Sequence, residues 1–164
     1  MLFSEYQRFQ YARSPLVEVI CQLRFPAILT INTKEPAEFQ EAVRHDFPRY
    51  AVRQEQRPPK LVGAGTPNAK LEPQSPVANH SFISADGFWK LNLTKDFIAL
   101  STLRYTRWED FALRLDKPLA QFIQVYEPAF FERIGLRYVN AVSKSRLGLT
   151  DLLWDDLIRS PYLG

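Results

Sequence analysis

Apolar and polar residues alternate along several stretches of this chain, and the spacing changes from two residues to nearly four and back. Over Leu16–Phe25, Val17, Val19, Cys21, Leu23 and Phe25 fall on one side, and Glu18, Ile20, Gln22 and Arg24 on the other. A two-residue period rich in β-branched residues predicts a strand buried on one side, bounded by Pro15 and Pro26. From Asn32 to Pro48 the period lengthens, with Phe39, Val43 and Phe47 recurring every four residues. That spacing predicts a helix capped by Asn32 or Thr33, with Pro36 tolerated in its first turn and Pro48 ending it. Between Arg57 and Asn79 stand Pro58, Pro59, Pro67, Pro73 and Pro76, with Gly63 and Gly65. Such density excludes helix and central strand, and predicts a long loop with a short edge strand near Lys60–Gly65 at most.

Period two then returns. "HSFISA", "FWKLNLT" and "FIALSTLRY" read as three short strands, joined by Asp86-Gly87, a strong two-residue hairpin signal, and by the weaker Lys95-Asp96. Trp108, Phe111, Leu115, Leu119, Phe122 and Tyr126 make the stripe of a long helix opened by a Thr106/Glu109 capping box. Pro118 inside it predicts a kink or a split. After Pro128 comes another strand, in which Phe130, Ile134, Leu136, Tyr138 and Val142 share one side and Arg133, Gly135 and Arg137 the other. "TDLLWDDLIRSP" closes as a short amphipathic helix. The order β-α-β-β-β-α-β-α predicts a single α+β domain over 1–164, a mainly antiparallel sheet with helices packed on one face and a Pro-rich loop at 57–79.

If the helices cover the apolar side, the polar sides of these strands form the opposite face. Arg133 and Arg137, roughly 13 Å apart along their strand, then join Glu18, Gln22, Arg24, Lys90, Asn92 and Arg104 on a helix-free surface. Such a face is ordinarily solvated, and a cross-strand pair such as Glu18 with Arg137 would stabilise it modestly. It also suits a second sheet, another subunit or an anionic ligand, and Gly135 marks a bulge or a close approach. The candidate ligand- or partner-binding residues are therefore Glu18, Arg24, Arg133, Arg137 and Asn140.

Composition adds exclusions. One cysteine, Cys21, rules out an internal disulfide framework and a multi-cysteine metal site. The net charge of +3 is too small to indicate nucleic acid, although fourteen of the 21 basic residues are Arg. No apolar run reaches the length of a membrane span, and the N-terminus lacks a signal-peptide pattern, so a cytoplasmic protein without membrane contact is expected. His45 and His80 lie in unrelated contexts, no phosphate-binding glycine loop or nucleophile elbow occurs, and Asp151, Asp155 and Asp156 read as a solvated helix face. No catalytic residue, metal site or cofactor is predicted. Two alternatives stay open: an enzyme acting on an anionic small molecule held by Arg133 and Arg137 with Glu18 as base, and nucleic-acid binding through 44–60. In that stretch Arg44, His45, Arg49, Arg53, Arg57 and Lys60 interleave with Phe47 and Tyr50.

"SPLVEVICQLRF", "RYTRWEDF" and "RIGLRYVNAV" together resemble a sporadically distributed family of uncharacterised, mostly bacterial proteins. Its pattern is a Pro-Leu-Val-Glu strand, a Trp-x-x-Phe helix entry and an Ile-Gly-Leu-Arg-Tyr-x-Asn strand. The resemblance carries no activity. It implies a longer protein with a second half after the last of these strands. This chain would then be an N-terminal part or a short relative, and its sheet face would meet that second half, an unknown partner or another copy.

Overall fold

The computed structural model describes residues 14–65 and 69–158. Its elements are β1 (Leu16–Arg24), α1 (Thr30–Thr33), α2 (Ala37–Val43), β2 (Arg49–Glu55), β3 (Lys60–Val62), β4 (Lys70–Glu72) and β5 (Val77–Ile83). They continue with β6 (Trp89–Thr94), β7 (Phe97–Thr102), α3 (Trp108–Tyr126), β8 (Arg133–Asn140), α4 (Lys144–Leu147) and α5 (Trp154–Leu157). Six strands form one sheet in the order β2-β5-β6-β7-β1-β8, and β3 pairs with β4 in a separate ribbon. The fold is α+β with a mainly antiparallel sheet.

Register explains the core. Cys21 lies across from Leu100, and Leu100 across from Leu91. Leu91 in turn faces Phe82, and Phe82 faces Tyr50. One side of five strands is therefore apolar from edge to edge. Both longer helices cover that side: Phe39 of α2 meets Phe82 edge-on at 5.4 Å, and Phe122 of α3 lies 4.7 Å from Phe25. Phe111 of α3 packs 5.7 Å from Trp89. Phe25, Phe39, Phe82, Phe111 and Phe122 are all fully buried, each contributing about 1.5–3 kcal/mol of hydrophobic stabilisation.

Several elements depart from expectation. The first helix is two short ones, because Pro36 becomes the N-cap of α2 and breaks the run instead of joining a first turn. Asn32 does not cap: its side chain accepts the Ala78 N–H at 2.8 Å and so ties α1 to β5. The basic stretch after Pro48 folds as β2, an edge strand exposed along its length. The Pro-rich segment carries the small β3–β4 ribbon. α3 runs unbroken through Pro118. Losing a hydrogen bond there costs about 3 kcal/mol, which the buried Phe111, Leu115 and Phe122 on either side outweigh. Its N-cap is Arg107, without a side-chain cap; Thr106 donates to the Asp110 carboxylate at 2.8 Å instead.

The chain divides into two compact units, residues 17–139 and the segments up to 16 and from 140. The second holds α4, whose first turn is capped by the Ser143 hydroxyl, and α5, where Asp156 accepts the Leu153 N–H at 3.0 Å. Of the predicted closing helix, the described residues hold the single turn Trp154–Leu157, and residues 159–161 lie outside them. No helix among the described residues is long and apolar enough to cross a membrane.

Candidate functional site

The helix-free side of the sheet can be followed strand by strand. On β1, Val19, Cys21 and Leu23 are buried beneath the helices, so Glu18, Ile20, Gln22 and Arg24 point away from them. β8 is fixed to β1 at its start, where the Glu132 N–H donates to the Arg24 carbonyl at 2.8 Å. Near its other end, Tyr138 packs edge-on against Tyr105 at 5.5 Å, and Tyr105 lies 6.2 Å from Phe111 of α3. Along β8, Arg133, Gly135 and Arg137 alternate with Ile134, Leu136 and Tyr138. Arg133, Gly135, Leu136 and Arg137 line a hollow of about 380 Å³ with Ile20 and Gln22.

Gly135 has a specific use there. Its backbone is ordinary, so no left-handed conformation requires glycine. A Cβ at this position would stand 3.6 Å from Arg133 Nη2 and 3.8 Å from its Nε, and 4.0 Å from the Gln22 carbonyl oxygen. The Arg133 guanidinium thus lies across the glycine, on the floor of the hollow. Neither Arg133 nor Arg137 forms a hydrogen bond or ion pair with another described residue. The expected Glu18–Arg137 pair is not made, and Glu18, half-buried, lies outside the hollow's lining.

Arg24 serves another purpose. Its guanidinium sits 3.5 Å from Asp96, which also accepts a 2.6 Å hydrogen bond from Arg57. Asp96 occupies the β6–β7 turn and takes a further 2.9 Å bond from Thr94. Burial pushes its carboxyl up, but the bonds from Arg57 and Thr94 and the two guanidinium charges outweigh this and hold it below the usual range. Arg24 thereby helps to fix the hairpin and the segment after β2. Asn140, exposed at the end of β8, falls in the other compact unit. Of the five predicted site residues, the hollow brings together Arg133 and Arg137.

Across the rest of this face runs a hydrogen-bonded ladder. Asn92 donates to Asn79 at 2.8 Å and to Ser81 at 2.9 Å, and Asn79 donates to Glu55 at 2.6 Å. The basic stretch 44–60 is partly engaged: Arg44 pairs with Glu41 and Arg57 with Asp96. Phe47 is buried, so it offers no platform for a base.

Sequence reasoning missed one cluster on the helix side. The Tyr50 hydroxyl donates to His80 Nδ1 at 2.8 Å, and His80 Nε2 donates to the Ile31 carbonyl at 2.9 Å. A carbonyl can only accept, which fixes this tautomer and occupies both ring nitrogens. Glu35, Pro36, Ala37, Gln40 and Tyr50 border a smaller hollow of about 190 Å³. Burial and the Glu35 charge push the Tyr50 phenol up, and burial, Glu38 and Tyr50 push Tyr126 up to about 12. Both phenols stay protonated at neutral pH. Only the spacing of Tyr50 and Val52 with Phe82 across the β2–β5 register could have signalled this cluster, and that needs the pairing to be known. Among the described residues, no group of three or more His, Cys, Asp or Glu could hold a metal ion.

No known protein family, curated protein or solved structure matches the chain.

Proposed function

We propose that this protein is a non-catalytic binding module that receives an anionic group, carboxylate or phosphate, in the hollow between β1 and β8. The observation that carries the reading is the pair of guanidinium groups, Arg133 and Arg137, beside Gln22 and, among the described residues, without acidic partners. Arginine offers a planar fork of donors that matches such oxyanions in bidentate fashion, and Gln22 supplies an amide N–H next to it. The carboxylate that pairs with Arg24 of β1 among the described residues, Asp96, is held ionised at the far end of that strand. It therefore leaves the hollow's positive charge uncompensated. A cytoplasmic setting belongs to the same proposal; Cys21 is a buried free thiol.

The test is a titration with inorganic phosphate and with succinate, followed by the arginine Nε–Hε resonances. Saturable shifts at Arg133 and Arg137, lost in Arg133→Ala/Arg137→Ala, are expected. Arg49 and Arg53, exposed arginines outside this hollow, serve as the control. Equal, non-saturating shifts at all four would overturn the reading.

A further inference from the structure

The hollow of about 190 Å³ bordered by Glu35, Pro36, Ala37, Gln40 and Tyr50 has a hydrogen-bonding capacity that can be counted. His80 Nε2 must donate to the Ile31 carbonyl, so Nδ1 takes the Tyr50 hydroxyl proton. The phenol has no second proton, and its oxygen keeps a lone pair to offer. A carboxylate only accepts, and Glu35 forms no side-chain hydrogen bond or ion pair with another described residue. Pro36 lacks an N–H. The Ala37 N–H is taken by the Glu35 carbonyl at 2.9 Å, and the Gln40 N–H by the Pro36 carbonyl at 2.8 Å. The Gln40 amide brings one more acceptor and the only side-chain donor among these five residues. Pro36, which is buried, and Ala37 add apolar surface beside them. We infer that this hollow binds a primary ammonium on a short apolar stem, its three N–H donors taken by Tyr50 Oη, the Glu35 carboxylate and Gln40 Oε1. The site is separate from the arginine-lined hollow and opposite to it in charge, so it stands without the proposed function.

Complementarity selects this ligand over others. An ammonium brings three donors to three acceptors and the charge opposite to Glu35. An anion would meet a like charge and a single side-chain donor. A neutral alcohol brings one donor, and a quaternary ammonium brings charge with no donor at all. Size limits the stem: an apolar cavity of about 150 Å³ holds benzene, so this hollow takes the ammonium with about four to six carbons against Pro36, Ala37 and the Tyr50 ring. Burial and the Glu35 charge push the Tyr50 phenol up. The proton therefore stays on the phenol, committed to His80, and the oxygen stays an acceptor. Lys34, next to Glu35 in the chain, lies outside the lining and makes no ion pair with it, so the protein's own ammonium does not fill the place.

Titration of the full chain with n-butylammonium chloride at constant ionic strength, followed by the Tyr50 ring and Gln40 side-chain amide resonances, tests this. Saturable shifts are expected at both, with the Nε–Hε resonances of Arg133 and Arg137 unmoved. n-Butanol and tetramethylammonium should each bind at least tenfold more weakly. Glu35→Gln should weaken n-butylammonium at least tenfold and leave the melting temperature unchanged, because the position is exposed. Gln40→Lys, which brings an ammonium of its own into the hollow, should abolish binding, and Gln40→Glu should tighten it. Nα-acetyl-lysine methylamide carries the same head and stem and separates the sources. Tighter binding than n-butylammonium identifies a lysine of another chain as the ligand; weaker binding identifies a free amine. Shifts that grow without saturating overturn the inference. So does n-butanol binding as well as the amine, or an affinity unchanged in Glu35→Gln, since either reduces the hollow to an apolar cleft.

Discussion

The six-stranded sheet has two edges, β2, exposed along its length, and β8, exposed along most of it. They differ in what their side chains do. On β2, Tyr50 is held by the buried His80 and packs 5.4 Å from Phe82, while Glu55 accepts from Asn79. Just beyond it, Arg57 ends on Asp96. On β8, Tyr138 reaches the Tyr105 hydroxyl at 3.2 Å, but among the described residues Arg133 and Arg137 have no acidic partner, and Ile134 and Leu136 are exposed. Exposure alone does not mark a functional edge. An edge whose polar and apolar groups are already engaged is part of the scaffold; one whose groups of both kinds remain unengaged is where a ligand or partner gains most by docking.

Substitutions on the two edges should therefore differ sharply in cost. His80→Ala removes a buried ring and orphans the Ile31 carbonyl, so urea denaturation should show a loss of about 3 kcal/mol. Asp96→Asn should cost less, about 2 kcal/mol near pH 7, because both partner arginines are partly exposed and screened. Its pH dependence has a defined sign. The folded carboxyl titrates below its unfolded value of about 3.9. Its contribution is therefore complete above that pH and lost as pH falls through the lower, folded value. The stability gap between wild type and Asp96→Asn should close in acid; a gap constant down to pH 2 would assign it to packing. On β8, Ile134→Ser should change monomer stability by no more than about 0.5 kcal/mol. Gly135→Ala should be neutral or stabilise by roughly 0.5 kcal/mol, since its backbone is ordinary and the added methyl meets Arg133 at van der Waals distance. A large loss at Ile134 would show β8 to be held as firmly as β2 and would erase the contrast.

The same contrast explains what was legible in the sequence. β1 and β6 have one side against the helices, so burial forces their residues to alternate, and the alternation reads directly. β2 is exposed on both sides and carries arginines and glutamine freely, so nothing in its composition separates it from a basic loop. The helix around Pro36 reads as continuous because Phe39, Val43 and Phe47 all follow the break, so their spacing carries no sign of it. The Arg-Gly-Arg alternation of β8 was visible from period two alone. What stands across from each charge was not: Asp96 is 72 residues from Arg24 and 39 from Arg57. Only the folded chain shows that these two, rather than Glu18 and Arg137, are the paired charges.

The central claim, that Arg133 and Arg137 stand outside the packed interior and are free to bind, is tested most directly by the thermal unfolding of Arg133→Ala/Arg137→Ala. The melting temperature should stay within a few degrees of wild type while phosphate and succinate cease to register at the hollow. A double variant that melts more than about 10 °C lower, a loss of several kcal/mol at this size, would make the arginines part of the scaffold and leave the hollow without a function.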